Sequence, residues 1–203
     1  MKRVGILFLF LAAASDLHSV AQASAGRSNP DSAQAAERAL ATPELSTLVP
    51  APRVEDVKSK QAILAAIYDV ISGPIGDRDW KRFRSLFIPQ ARFTALNKDE
   101  KGNVSVTLLG VEEFIQDASA IFQKEAFYER PIVNRIQTFG NMAQVFSSYE
   151  SRHAPGGTPF ERGINSIQML NDGKRWWVVS ILWDAERPGN PLPAEFATPA
   201  KAH

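Results

Sequence analysis

The spacing of apolar residues divides the middle of the chain into helices and strands. Three segments carry apolar side chains every three or four positions, which predicts helices that each bury one stripe. These segments are residues 57–71, a short stretch that Asp79 caps, and residues 111–125. Gly73-Pro74 and Pro89 are expected to end the first two helices.

Six further segments have the character of strands. Two are short, 91–96 and 104–109, and four are long, 128–139, 142–152, 160–170 and 174–184. Turn residues separate them, most clearly Asn171-Asp172-Gly173, which is a strong hairpin signal. Strands of this length, joined by short turns, predict a long antiparallel sheet that twists strongly.

The first residues are typical of a secretory signal. Lys2 and Arg3 precede residues 4–14, which contain no polar side chain. That stretch is too short for a membrane span, which needs about 20 apolar residues, and it suits a signal peptide over residues 1–23. We therefore expect an exported protein, periplasmic or secreted, that has no membrane contact after cleavage; an uncleaved anchor is the alternative.

Composition divides the remaining chain into three parts. Residues 24–53 are rich in Ala, Ser and Pro and contain no aromatic residue, so a flexible linker is expected there. Residues 54–186 form one domain of ordinary size. Residues 187–203 contain four prolines and form a tail that we expect to lie along the domain before fraying.

Charge and side-chain chemistry exclude several classes of function. Removal of residues 1–23 lowers the basic residues from 23 to 21 and the acidic ones from 22 to 21, so the remaining chain is formally neutral. Nucleic acid is then an unexpected partner, because phosphate binding needs a surplus of Lys and Arg. The chain has no Cys, and only His153 can belong to a folded site. No metal site and no cofactor are therefore expected.

Two motifs and the order of elements resemble a known superfamily. The first motif is Asp79-Trp80-Lys81-Arg82-Phe83, continued by Leu86-Phe87, Pro89 and Ala91, and the second is Asp172-Gly173-Lys174-Arg175-Trp176-Trp177-Val178-Val179. Over residues 57–184 the chain resembles the nuclear transport factor 2-like superfamily, in particular its SnoaL-like branch. The resemblance implies an α+β fold in which a cone-shaped, curled, antiparallel or mixed sheet of about six strands packs with three helices and encloses one pocket. Members include isomerases, dehydratases, cyclases and binding modules, so the fold does not choose the function.

Alternation along the long strands predicts which side chains face that pocket. The predicted pocket residues are Tyr68 on the first helix and Tyr149, Asn165, Trp177 and Trp183 on the strands. An aromatic pocket with a few polar groups suits a small, flat, partly apolar ligand. A register error of one residue would exchange the two faces of a strand.

Three residues are candidates for acid–base chemistry. His153 is the sole candidate imidazole base, Glu129 could place a carboxylate at the pocket mouth, and Tyr149 could join them. The simpler alternatives are an exposed loop histidine and a cross-strand ion pair. Ketosteroid isomerase-like members use a carboxylate base with a Tyr/Asp oxyanion hole, and scytalone dehydratase-like members use His–Asp pairs with tyrosines. Neither set can be transferred to this sequence.

Two functions remain open at the level of sequence. The first is an exported small-molecule-binding or assembly module with an aromatic pocket. The second is a cofactor-free isomerase, dehydratase or cyclase acting on a small hydrophobic carbonyl compound. Either is compatible with a homodimer through the outer face of the sheet, where the predicted outward residues Phe146, Trp176 and Leu182 are unusually apolar.

Overall fold

The structure is a computed structural model that describes residues 44–99 and 101–198. The predicted signal peptide, residues 1–23, lies outside the described residues, as do the first part of the predicted linker and the last five residues of the tail. Near the start of the described chain a short 3₁₀ turn spans Leu45–Thr47. No helix among the described residues is long and apolar enough to cross a membrane.

Five α-helices are present in the described residues. They are α1 (Val54–Val57), α2 (Lys60–Ile71), α3 (Trp80–Arg84), α4 (Val111–Phe122) and α5 (Ala194–Ala197). Side chains cap two of them: the Ser59 hydroxyl accepts from the Ala62 N–H, and the Asp79 carboxylate accepts from the Arg82 N–H. Helices α2, α3 and α4 correspond to the three predicted helices.

Six strands form one mixed sheet. They are β1 (Phe87–Lys98), β2 (Val104–Leu109), β3 (Tyr128–Phe139), β4 (Met142–Arg152), β5 (Glu161–Asn171) and β6 (Trp176–Ala185). Their spatial order is β2-β1-β6-β5-β4-β3; the contact of β1 with β6 is parallel and every other pair is antiparallel. The predicted α+β fold with a six-stranded mixed sheet is confirmed.

The core lies between one face of this sheet and two helices. Helix α2 packs on β3 and β6, whereas α4 packs on β1 and β2 near the opposite edge of the sheet. Ile63, Leu64 and Ile67 of α2 are buried against sheet residues such as Val145 and Ile167. Between α2 and α4 a part of the inner face of the sheet faces a space that residues of both helices also line.

The end of the short helix differs from the prediction. Helix α3 stops at Arg84, and strand β1 already begins at Phe87, so Pro89 lies within the strand. The pairing of β1 with β6 is irregular between Phe87 and Arg92. Proline is tolerated there because an irregular stretch of strand does not require its missing N–H.

A bulge in β6 changes the predicted orientation of two tryptophans. Gln168 of β5 pairs with Ser180, but the next residue, Met169, pairs with Val178, so Val179 is the extra residue. A bulge of this kind reverses the alternation of faces on one side of it. The predicted inward orientation of Trp177 and outward orientation of Trp176 are therefore wrong.

The contacts of Trp176 and Trp177 show that the two rings lie on the opposite faces from those predicted. Trp176 packs against the core beneath Lys60 of α2, whose ammonium lies 5.2 Å from the ring centre. Trp177 is buried under the guanidinium of Arg175, 3.5 Å from its ring, and its indole N–H donates to Asp172. Trp177 thus has a structural role away from the inner face.

The tail lies on the outer face of the sheet. The main-chain carbonyl of Phe196 in α5 accepts a 2.7 Å hydrogen bond from the Ser148 hydroxyl, and the Phe196 ring lies 6.2 Å from Phe146. Ser148 is buried as a result, although it points away from the core. Phe146 and Leu182 on this outer face remain 44% and 40% exposed.

Candidate functional site

A cavity of about 130 Å³ opens between α2, α4 and the inner face of the sheet. Most of its wall is apolar and much of that is aromatic, with rings from helices and strands alike. His153 and Phe160, which are both partly exposed to solvent, stand where the wall meets the surface, and we call this edge the mouth. A volume of this size accommodates about one aromatic ring.

Three stacked phenylalanines form one wall of the cavity. Phe83 of α3 and Phe93 of β1 both stack on Phe114 of α4, at ring-centre distances of 5.2 and 4.5 Å. Since the three rings come from three elements and pack against one another, this wall is rigid. Because this wall is apolar, any selection among ligands by hydrogen bonds or charge depends on the polar groups that also line the cavity.

Glu129 is the first of these polar groups. It lies on β3, where the main-chain N–H and carbonyl of Glu129 both bond to the Ser72 hydroxyl at the end of α2. The Glu129 carboxylate accepts a 2.9 Å hydrogen bond from the Ser151 hydroxyl on the neighbouring strand. The side chain is therefore fixed at both ends, and it lines the cavity.

The surroundings of Glu129 favour its neutral form. Burial raises the pKa of Glu129 to about 7, and the negative charge of Glu161 acts in the same direction, against the opposing effects of the Ser151 hydroxyl and the Asn165 amide. Within residues 44–99 and 101–198, neither Glu129 nor Glu161 forms an ion pair. The cross-strand ion pair of this region instead joins Arg130 to Glu150.

Glu161 and Tyr149 form the second polar group. The Tyr149 hydroxyl donates a 3.0 Å hydrogen bond to a carboxylate oxygen of Glu161, and both side chains line the cavity. Burial raises the pKa of Glu161, although the bond from Tyr149 opposes the change. Burial and the two carboxylates raise the pKa of Tyr149 well above its usual value, so the phenol keeps its proton.

Asn165 is held from behind by a chain of hydrogen bonds. Its amide donates to the Tyr68 hydroxyl at 3.2 Å, which bonds to the Ser147 hydroxyl at 2.5 Å, and Ser147 in turn donates to Asn134 at 2.6 Å. Asn165 lines the cavity, while Tyr68 lies behind the wall. Burial raises the pKa of Tyr68, so this chain consists of neutral groups.

His153 stands at the mouth, apart from Tyr149. Its Nδ1 lies 3.1 Å from the Ala126 carbonyl oxygen, and its ring stacks on Phe160 at 4.3 Å between centres. The nearest carboxylate oxygen of Glu125 is 4.0 Å away. The imidazole can therefore contact a ligand at the mouth, whereas Glu129 and Glu161 can contact it further inside the cavity.

The structure thus brings together some of the predicted residues and not others. Glu129, Tyr149, Asn165, Trp183 and His153 line one cavity. Tyr68 supports the wall from behind, and Trp177 lies on the other face of the sheet.

Three acidic lining residues, Asp117, Glu125 and Glu161, were not among the residues predicted from the sequence. Glu161 lies two positions before Gly163 and four before Asn165, so the alternation that placed Asn165 inside extends back to it. Asp117 is on α4, and burial followed by the charge of Glu113 raises its pKa. A helical aspartate between apolar positions gave no comparable signal. Within the described chain no group of three or more His, Asp or Glu side chains is arranged to hold a metal ion.

Comparison with known proteins extends to fold alone. No family model matches the sequence, and no curated protein matches it. Solved structures similar to the chain include a protein of unknown function with a cystatin-like fold from Nostoc punctiforme, at 14% identity over 66% of this chain and 92% of that one, TM-score 0.49. Another is an NTF-2-like protein of unknown function from Silicibacter pomeroyi, at 14% identity over 62% and 92%, TM-score 0.44. A third is an uncharacterised protein with a cystatin-like fold from Caulobacter vibrioides, at 12% identity over 65% and 90%, TM-score 0.48.

At these identities and TM-scores, the similarities say nothing about chemistry. The architecture is itself informative, because a mixed six-stranded sheet and the helices packed on it form a cavity on its inner face. The chain therefore has the α+β architecture, with a mixed six-stranded sheet and a cavity, that the sequence resemblance implied.

Proposed function

We propose that this protein catalyses proton transfer on a small, mostly apolar carbonyl compound, as an isomerase or lyase. One observation carries the proposal: the carboxyls of Glu129 and Glu161 converge in an aromatic cavity without an ion-pair partner in the described chain. Catalytic groups are commonly placed where burial and a neighbouring like charge shift the pKa toward the working pH.

The two carboxyls have environments suited to different tasks. Glu129 accepts a proton from a carbon next to the carbonyl group, because a carboxyl with a pKa of about 7 is a strong base for its class and is ionised in part at neutral pH. The electron pair left on carbon moves to the carbonyl oxygen. Burial also raises the pKa of Glu161, and in its protonated form this carboxyl, fixed by the Tyr149 hydroxyl, can donate a hydrogen bond to that oxygen.

The proton then determines the product. When Glu129 returns it to another carbon, the result is an isomer. When Glu129 gives it to a hydroxyl group of the substrate, the electron pair returns from the carbonyl oxygen, the hydroxyl leaves as water and the product is dehydrated. Tyr149 is a positioning residue in this scheme, because its phenol already donates to Glu161.

The binding-module hypothesis has less support. A passive apolar pocket gains nothing from carboxyls held away from water, since burying them costs free energy. The proposed exported location and the homodimer are compatible with either function.

The proposal is tested by deuterium incorporation. Small cyclic ketones are incubated with the protein in D₂O, and exchange of the hydrogens next to the carbonyl is followed by NMR. Faster exchange than in buffer is expected with the wild-type protein and with Glu55→Gln, whose carboxylate is 76% exposed on α1. Glu129→Gln is expected to lose the acceleration. If Glu129→Gln exchanges the ketones as fast as the wild-type protein does, Glu129 is not the base.

A further inference from the structure

Apart from His153 at the mouth, the titratable side chains that line the cavity are all acidic groups. Four carboxyl groups line it, those of Asp117, Glu125, Glu129 and Glu161, and the described lining residues include no Lys or Arg. Arg78 packs over the Phe122 ring at 4.6 Å, but it is not part of the lining. Its guanidinium donates to five main-chain carbonyls, those of Ile71, Gly73, Pro74, Gly76 and Asp77.

Two of the four carboxyls are held in place by neighbouring side chains. One oxygen of Glu129 accepts from Ser151, and one oxygen of Glu161 accepts from Tyr149. The Asn165 amide also acts on the Glu129 carboxylate as a hydrogen-bond donor. Both carboxyls line the cavity, where a ligand would lie beside them.

The aromatic walls of the cavity, like its carboxyls, favour a positively charged ligand. The face of an aromatic ring carries partial negative charge and attracts a cation, most strongly where water is excluded. Trp183 and Phe127 line the cavity together with the phenylalanine wall. An anionic ligand would meet repulsion from every charged group of the lining, and a neutral one would leave the carboxyls without a counter-charge.

We infer that the substrate of this cavity carries a positive charge, as an ammonium group attached to one ring or a short hydrocarbon body, and that the acidic lining attracts that group. The apolar body lies against the phenylalanine wall, and the volume of about 130 Å³ limits it to about one ring. The inference rests on the proposed function only in taking this cavity as the substrate site.

Three probes of nearly equal size and different charge test it: benzylamine as its ammonium, benzyl alcohol and benzoate. Their dissociation constants are measured at about pH 8 by ligand-observed NMR, where benzylamine is largely protonated and Glu129 is largely ionised. We expect benzylammonium to bind about tenfold or more tightly than benzyl alcohol, and benzoate to bind more weakly than both.

Matched variants test whether the preference for benzylammonium over benzyl alcohol depends on Glu129 and Glu161. The double variant Glu129→Gln/Glu161→Gln keeps the size of both side chains, so it should bind benzyl alcohol as the wild-type protein does and lose the preference for benzylammonium. Glu55→Gln should retain the preference. Where the double variant fails to fold, the comparison of the three probes on the wild-type protein decides by itself.

The result is separable from the test of catalysis. Benzyl alcohol binding as tightly as benzylammonium to the wild-type protein overturns the inference, even if ketone exchange is found. A clear preference for benzylammonium without ketone exchange supports the inference and counts against the proposed reaction.

Discussion

Tyr149 lies directly across Gly163 of the adjacent strand, and its ring occupies the space where a side chain at that position would be. A Cβ at Gly163 would stand 2.7 Å from the Tyr149 hydroxyl oxygen and 2.5 Å from the main-chain oxygen of Asp184. The tyrosine reaches Glu161 only because this glycine has no side chain.

The first prediction follows from that contact. Gly163→Ala should destabilise the fold by about 1–3 kcal/mol, because neither the main chain of Asp184 nor the buried ring can move freely. The free energy of unfolding is measured by urea denaturation. Gly156→Ala is the matched control, since a Cβ there meets nothing within 4 Å. Equal stability of the two variants would show that the Tyr149 ring is not held against Gly163.

A second prediction concerns the hydrogen bonds behind Asn165. Tyr68→Phe removes one hydroxyl, so the buried Ser147 hydroxyl keeps only its bond to Asn134 and the Asn165 amide loses its bond to Tyr68, which should cost about 1–3 kcal/mol. Tyr128→Phe serves as the control, because the Tyr128 hydroxyl makes no hydrogen bond among the described residues. An unchanged urea midpoint for Tyr68→Phe would contradict the hydrogen-bonded chain.

The third prediction links stability to pH through Glu129. In the unfolded chain this carboxyl loses its proton near pH 4.5, whereas the folded protein keeps it until about pH 7. The contribution of Glu129 to stability is therefore complete below pH 4.5 and is lost as the pH rises to 7. The free energy of unfolding of Glu129→Gln should equal that of the wild-type protein below about pH 4.5 and exceed it by about 3 kcal/mol above about pH 7.

This comparison isolates one group among several. Glu161, Asp117 and Tyr149 also line the cavity with raised pKa values, and Glu125 and His153 stand at its mouth. All of them are present in both proteins, so the difference between the two pH profiles reports mainly on Glu129. Parallel profiles would mean that the carboxyl is not desolvated.

A fourth prediction tests the expected homodimer. Leu182 and Phe146 remain on the outer face, and Leu108 and Val106 of β2, both more than half exposed, lie on the same sheet. If this face forms the dimer, Leu182→Glu should give a monomer in sedimentation velocity, while the free energy of unfolding changes little. A wild-type protein that sediments as a monomer at every concentration would rule out this dimer.

The sequence predicted the strands well where the pairing is regular. Strands β4 and β5 pair without a break from Met142↔Leu170 to Ser151↔Glu161, so simple alternation placed Tyr149 and Asn165 correctly on the inner face. It failed in β6, because the bulge at Val179 lies within an apolar run that contains neither Gly nor Pro. Such a bulge depends on the partner strands rather than on local residues.

The chemistry of the cavity was less accessible from the sequence. Glu129 was a candidate because of its position in a strand, yet its pKa depends on Glu161, Ser151 and Asn165, which come from other strands. His153 drew attention as the lone histidine, but it lies at the mouth rather than beside Tyr149. Three-dimensional neighbours decide such roles, and residue type alone does not.

The pKa of Glu129 is the most direct test of the proposed chemistry. Protein labelled with ¹³C at the glutamate carboxyls is titrated by NMR, and the Glu129 resonance is assigned by its loss in Glu129→Gln. We predict a midpoint of about pH 7. A midpoint near 4.5, the ordinary value for a glutamate in water, would contradict both the desolvated carboxyl and the proton transfer proposed for it.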